Sequence, residues 1–187
     1  SKQAKSSSSS GAEKLLDDSG WARVYPESAE PDFAAQSTRG SATLGTPDQG
    51  RAPYTRAKNN TELALTITAI QREDSIIVAE KVRELWQNVG VKVNLNIVEV
   101  ANIQKDTIKP RAYEVLLFGQ IIGKDPDPYP FWHSSQANDP GLNLARYQNK
   151  AVDALLEDGR KTSDTEARGQ KYAAFQKQLA EEVPALF

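Results

Sequence analysis

The chain has 187 residues, a formal net charge of −2 and 39% apolar residues. That balance leaves no basic footprint for nucleic acid, and the lysines and arginines are spread rather than clustered. Cysteine is absent, which excludes disulfides, thiolate catalysis and Cys-based metal centres. The length suits one domain or one lobe of a larger protein. There is no methionine, no signal peptide and no apolar run of transmembrane length. The expectation is a piece of a longer protein.

Residues 1–11 include five consecutive serines and read as a flexible segment. Ala12–Trp21 reads as a short helix stopped by Gly20, with Trp21 packing back. Residues 22–61 form a long polar insert rich in Pro, Gly, Ser and Asp. It is expected to be mostly irregular, with short strands near Ala42–Leu44 and Tyr54–Arg56. Leu63–Ile70 predicts a strand. Asp74 is the expected cap of a helix whose face is Val78, Val82, Leu85, Trp86 and Val89, ended by Gly90. Val91, Val93, Leu95 and Ile97 alternate with polar residues as a half-buried strand. Ala101–Lys109 predicts a short helix ended by Pro110. Tyr113–Phe118 is apolar on both faces apart from Glu114, so a central strand is expected. Strand–helix–strand–helix–strand implies parallel pairing. Two helices follow: one capped by Asn149 with Val152, Leu155 and Leu156 inward, the other capped by Asp164 with Tyr172, Phe175, Gln176 and Leu179 on one face. Pro184 ends the second, and Ala185–Phe187 resembles the start of another strand. Runs such as Glu157–Lys161 read as solvated helix faces.

Between the third strand and these helices lies Gly119-Gln120-Ile121-Ile122-Gly123-Lys124-Asp125-Pro126-Asp127-Pro128-Tyr129-Pro130-Phe131-Trp132-His133-Ser134-Ser135-Gln136. Three prolines in five residues exclude a helix interior or a central strand. A stiff loop leaving a sheet, carrying carboxylates, aromatics and the sole histidine, is where function concentrates. Catalysis is not expected: no Gly-x-Ser-x-Gly, P-loop or dinucleotide fingerprint is present, and His133 beside Ser134 gives no triad geometry by adjacency alone.

The Ala-x-x-Leu-Leu-x-x-x-Gly-Trp pattern at Ala12–Trp21, the block Leu63–Ile97 with its Gly-Val-Lys-Val, and Tyr113–Gln136 occur in that order. Gly141–Leu156 and Arg168–Phe187 follow them. Together they resemble the C-terminal lobe of the peptide- and nickel-type solute-binding proteins of ABC importers, the oligopeptide/dipeptide-binding class; residues 22–61 fall outside the resemblance. It implies an α/β lobe over 12–187, with a mixed, largely parallel sheet flanked by helices, of the type II periplasmic-binding-protein kind. The first lobe is absent from this chain. The resemblance also implies an extracytoplasmic protein, anchored through an upstream segment, that binds a short peptide and delivers it to a membrane ABC permease. No cofactor is implied.

In such relatives the loop after the third strand lies along the peptide with its backbone, and an aspartate holds the ligand's amino terminus. A buried ammonium needs such an opposite charge to offset its desolvation. The implied ligand-binding residues are Gly119, Gln120, Ile121, Ile122, Gly123, Asp125, Trp132 and Asn143. This chain departs from the pattern. Gln120 stands where a tryptophan is common, and Gly123 or Lys124 where the aspartate falls. Asp125 is the nearest carboxylate, and its alternative reading is a turn cap beside a proline, which is also the reading for Asp127. Trp132 doubles as a loop anchor and Asn143 as a brace for loop backbone. His133 is a weak metal candidate, lacking a second His or Cys, and otherwise ties the loop to its scaffold. Two alternatives stay open: nickel or metal-chelate binding, and an interaction module using residues 22–61.

Overall fold

The computed structural model describes residues 9–25, 54–121 and 127–187. The strand expected near Ala42–Leu44 lies outside them. The chain divides into two compact units. Of the described residues, one comprises those up to Val98 together with Glu114–Leu117; the other comprises those in Glu99–Tyr113 and Phe118–Phe187.

In the first unit, helix α1 (Ser9–Asp18) closes as its sequence requires. Gly20 takes φ +83°, and the N–H groups of Gly20 and Trp21 donate to Asp17 O and Leu16 O, each at 3.0 Å. Strands β1 (Ala22–Val24), β2 (Thr55–Lys58) and β3 (Thr61–Glu62) form an antiparallel sheet in that order. Asn59 and Asn60 turn β2 into β3 with φ of 51° and 63°, a left-handed pair that asparagine tolerates. The two ends of the polar insert are therefore strands. Strands of two to four residues are too short to show a two-residue period.

Strand β4 (Ala64–Ile70), helix α2 (Glu73–Gln87), strand β5 (Lys92–Val98) and strand β6 (Val115–Leu117) build a second sheet, all parallel, in the order β5-β4-β6. Among the described residues the strands form two sheets, one antiparallel and one parallel, in keeping with the expected α/β lobe with largely parallel pairing. Among the described residues β4 is the central strand and β6 an edge, correcting the expectation for Tyr113–Phe118. Apolar residues on both faces report covered faces, not two paired edges. Ile67, Ala69, Ala79, Val89, Val91 and Val93 form the core.

Helix α2 buries Ala79 and packs Val82 and Trp86 on that core, while Val78 and Leu85 are exposed. The inward stripe is narrower than the spacing suggested. Asp74 does not cap α2. Arg72 occupies the cap position, and Asp74 sits inside the first turn, accepting from Ser75 N–H at 2.9 Å and from Arg72. Gly90 (φ +86°) ends the segment, and a Cβ there would fall 2.6 Å from the Tyr54 ring.

In the second unit a π-helical turn (Gln104–Ile108) stands where the short helix was expected. It is followed by a short helix α3 (Tyr129–Trp132), a 3-10 turn (Ser134–Gln136), α4 (Lys150–Lys161) and α5 (Thr165–Glu182). Asn149 caps α4 by accepting from Ala151 and Val152 N–H, and Asp164 caps α5 by accepting from Ala167 N–H. Tyr147, Val152, Leu156, Phe175 and Leu179 form this core. Gln176, placed with them by spacing, is exposed. Val183, at φ +48°, closes α5 onto Leu179 O at 2.9 Å. Ala185–Phe187 is irregular rather than the start of a strand.

Candidate functional site

The proline-rich segment leaves β6 at Leu117. Gly119, Gln120 and Ile121 are exposed, and Ile121 is 95% accessible. Among the described residues, no heavy atom lies within 4 Å of where a Cβ on Gly119 would sit. Among the described residues, none pairs with the backbone groups of Gly119, Gln120 or Ile121. Gln120 Nε2 donates to Leu142 O at 3.2 Å, the tie that holds this stretch to the loop at 141–144. Ile122, Gly123 and Asp125 lie outside the described residues.

From Asp127 onward the segment is firmly held. The Asp127 carboxylate accepts from Tyr129 N–H at 3.1 Å, the turn-capping role expected of it, and also pairs with Arg160 Nε at 3.0 Å. The Arg160 guanidinium lies 4.3 Å from the Tyr129 ring centroid. Tyr129 stacks in turn on His133, centroids 4.1 Å apart. Asp153 Oδ1 accepts from Ser134 N–H at 2.8 Å. The charged run in α4 is therefore not only a solvated face. Asp153, Glu157 and Arg160, at i, i+4 and i+7, present one helical stripe to this loop. That spacing was the available signal for residues the sequence reading passed over.

Asn143 is 0% exposed. Its Nδ2 donates to His133 O at 3.2 Å and Tyr147 O at 2.9 Å, and its Oδ1 accepts from Tyr147 N–H at 3.1 Å. Of its two expected roles, these bonds are those of a brace for the loop backbone. Trp132 packs on the second core, its ring near Tyr147, Phe175 and Phe187. Burial, with the Glu182 carboxylate nearby, pushes the Tyr147 hydroxyl up to about 12.

Arg111 is a further brace, with no signal in the sequence to reveal it. It is buried at φ +56°, a left-handed conformation costing about 1 kcal/mol for an L-residue. Its guanidinium donates to Ile108 O, Ala137 O and Gly141 O at 2.6, 3.0 and 2.6 Å. Gly141 sits so close to Gln136 that a Cβ would fall 2.2 Å from its carbonyl oxygen.

His133 is buried, with Nδ1 turned to Ser135. Nε2 lies 3.4 Å from Glu157 Oε1 and 3.8 Å from Asp153 Oδ1. Among the described residues no group of three His, Cys, Asp or Glu is arranged to hold a metal ion, and no helix is long and apolar enough to cross a membrane.

The fold has clear counterparts among solved structures. The oligopeptide-binding protein AppA of Bacillus subtilis, in complex with a nonapeptide, aligns at a TM-score of 0.71 and 22% identity, over 94% of this chain and 30% of its own. NikZ of Campylobacter jejuni, in complex with Ni(L-His), aligns at 0.68 and 21%, over 95% and 31%. The ABC transporter substrate-binding protein CtaP of Listeria monocytogenes aligns at 0.55 and 28%, over 63% and 24%. The chain thus has the α/β fold of part of a solute-binding protein, and spans under a third of the length of these structures. No family model matches the sequence. No curated protein matches it either.

Proposed function

We propose that residues 12–187 are the ligand-binding lobe of an extracytoplasmic solute-binding protein, and that it captures short peptides and hands them to an ABC permease. The observation that carries this reading is the exposed backbone of Gly119–Ile121, unpaired among the described residues, directly after a sheet strand, in a fold shared with a peptide-bound oligopeptide-binding protein. Free N–H and C=O groups there suit pairing with an extended peptide, which leaves side-chain identity unread. Ile122 and Gly123 are further proposed ligand contacts, and Asp125 is the proposed carboxylate for the peptide's amino terminus. Trp132, packed on the second core, is a further proposed ligand contact. Binding is non-covalent, by closure against a first lobe supplied by the remainder of the protein. The metal-chelate alternative rests on the likeness to NikZ.

Native mass spectrometry of the two-lobed protein purified from its host separates the readings. Peptide adducts lost on Asp125→Ala support the wall and its anchor. A peptide-free mass carrying nickel favours the metal reading, and neither adduct favours an interaction module. The chain by itself, holding one wall, should bind peptide poorly. Micromolar peptide binding by the 187-residue chain in calorimetry would contradict the two-lobe arrangement.

A further inference from the structure

The turn Ser134–Gln136 has two side-chain caps on its free N–H groups. Asp153 Oδ1 accepts from Ser134 N–H at 2.8 Å, and His133 Nδ1 accepts from Ser135 N–H at 3.1 Å. The second bond fixes the chemistry of the ring. A backbone N–H can only donate, so Nδ1 carries a lone pair and the proton of the neutral imidazole sits on Nε2. Nε2 is buried and makes no hydrogen bond of ordinary geometry; the oxygens it faces are Glu157 Oε1 and Asp153 Oδ1 of α4.

A second proton can enter this ring only at Nδ1, where it meets the N–H that the lone pair was accepting. The other groups around the ring keep it in place while that happens. Asp153 and Glu157 lie on the Nε2 side, Tyr129 stacks on one face with Arg160 beyond it, and Asn143 holds the His133 carbonyl. Lys161 pairs with Glu157 at 3.4 Å and Asp127 with Arg160, so each charge beyond the ring has its own partner. Ser135 Oγ, 2.8 Å from Nδ1, is the acceptor available to the new N–H. The exchange gives the ring a partner and leaves Ser135 N–H without one.

We propose that protonation of His133 uncaps the turn Ser134–Gln136, so that the segment following the candidate wall is ordered at neutral pH and loosened in acid. His133 is the sole histidine and there is no cysteine, so no other side-chain type ordinarily ionises between pH 5 and 8. The inference is independent of what the protein binds.

The test is nuclear magnetic resonance of the 187-residue chain, following the His133 ring signals and Ser135 amide exchange from pH 8 to pH 5. At pH 8 the ring nitrogens should report a bare Nδ1. As the ring titrates, the protection factor of the Ser135 amide should fall roughly fivefold to tenfold, the size of one lost cap. Protection of Ser134, capped by Asp153, should hold. A proton on Nδ1 in the neutral form, or Ser135 protection unchanged through the titration, overturns the proposal. His133→Asn keeps an acceptor and removes the titration, so Ser135 protection should become independent of pH. If it still falls, the response belongs to Asp153 or Glu157 and the proposal fails.

Discussion

The two units each bury an arginine, by different means. In the first, Arg56 is wholly inaccessible and reaches a carboxylate: NH1 pairs with Asp17 Oδ1 at 2.6 Å, and Trp21 O at 2.8 Å, Val89 O at 2.6 Å and Glu13 O at 3.4 Å complete the fork. In the second, Arg111 donates to three backbone carbonyls. One cation is neutralised, the other is solvated by peptide dipoles. Both hold distant segments with a planar array of donors, which lysine cannot reproduce. They differ in what remains when the cation is removed. Asp17 is half exposed, and water and Arg23 can take over from Arg56, whereas Ala137 O is buried with its bond to Arg111 and has no second donor among the described residues.

That contrast ranks the expected losses. Arg111→Ala should cost the most, about 4 kcal/mol in urea unfolding: it strands Ala137 O and Gly141 O, at about 1–3 kcal/mol each, while Ile108 O keeps the backbone N–H of residue 111. Arg56→Ala should cost less, about 3 kcal/mol, since only its carbonyl partners are stranded. Lysine sharpens the comparison. Arg56→Lys should recover about half of that loss through Asp17, and Arg111→Lys little. Equal recovery at both sites would break the distinction between neutralised and dipole-solvated cations.

The pH response should differ as well. The hydrogen bond from Arg56 is the main cause holding the Asp17 carboxyl below its ordinary range, aided by the charges of Arg23 and Arg56. A carboxylate lowered on folding contributes stability above its unfolded value, and loses it as pH falls through the folded one. Below about pH 4 the first unit should weaken, and Asp17→Asn should flatten that slope. Because Asp17 is well solvated the amplitude should stay under about 1 kcal/mol. Dipole solvation of Arg111 supplies no such slope. The smallest effect belongs to the open wall: Gln120→Ala removes one exposed tie and should shift stability by less than about 0.5 kcal/mol. A larger loss would mean that Gly119–Ile121 is braced like the turn beyond it.

What was legible in the sequence was local. Gly20 and Gly90 take positive φ, and Asn149 and Asp164 cap their helices, because turn and cap chemistry is written within four residues. The parallel order of β4, β5 and β6 follows from the helices between them. The arginine braces were not legible, since their partners, Ile108 apart, lie 26 to 43 positions away and nothing near Arg56 or Arg111 marks a buried cation. Val78 and Leu85 fit the helical period yet face solvent, because periodicity gives a stripe and not its width. Asn143 invited two readings, and only its burial separates a brace from a contact.

The tryptophans have a practical consequence. Of the three in the chain, Trp21 and Trp86 fall in the first unit and Trp132 in the second, beside Tyr147 and Phe175. The molecule carries its own optical labels, one set per unit. Replacing Trp21 and Trp86 by phenylalanine leaves an emission that reports the second unit alone. Whether the units melt together or in sequence then becomes a question that a fluorimeter can answer.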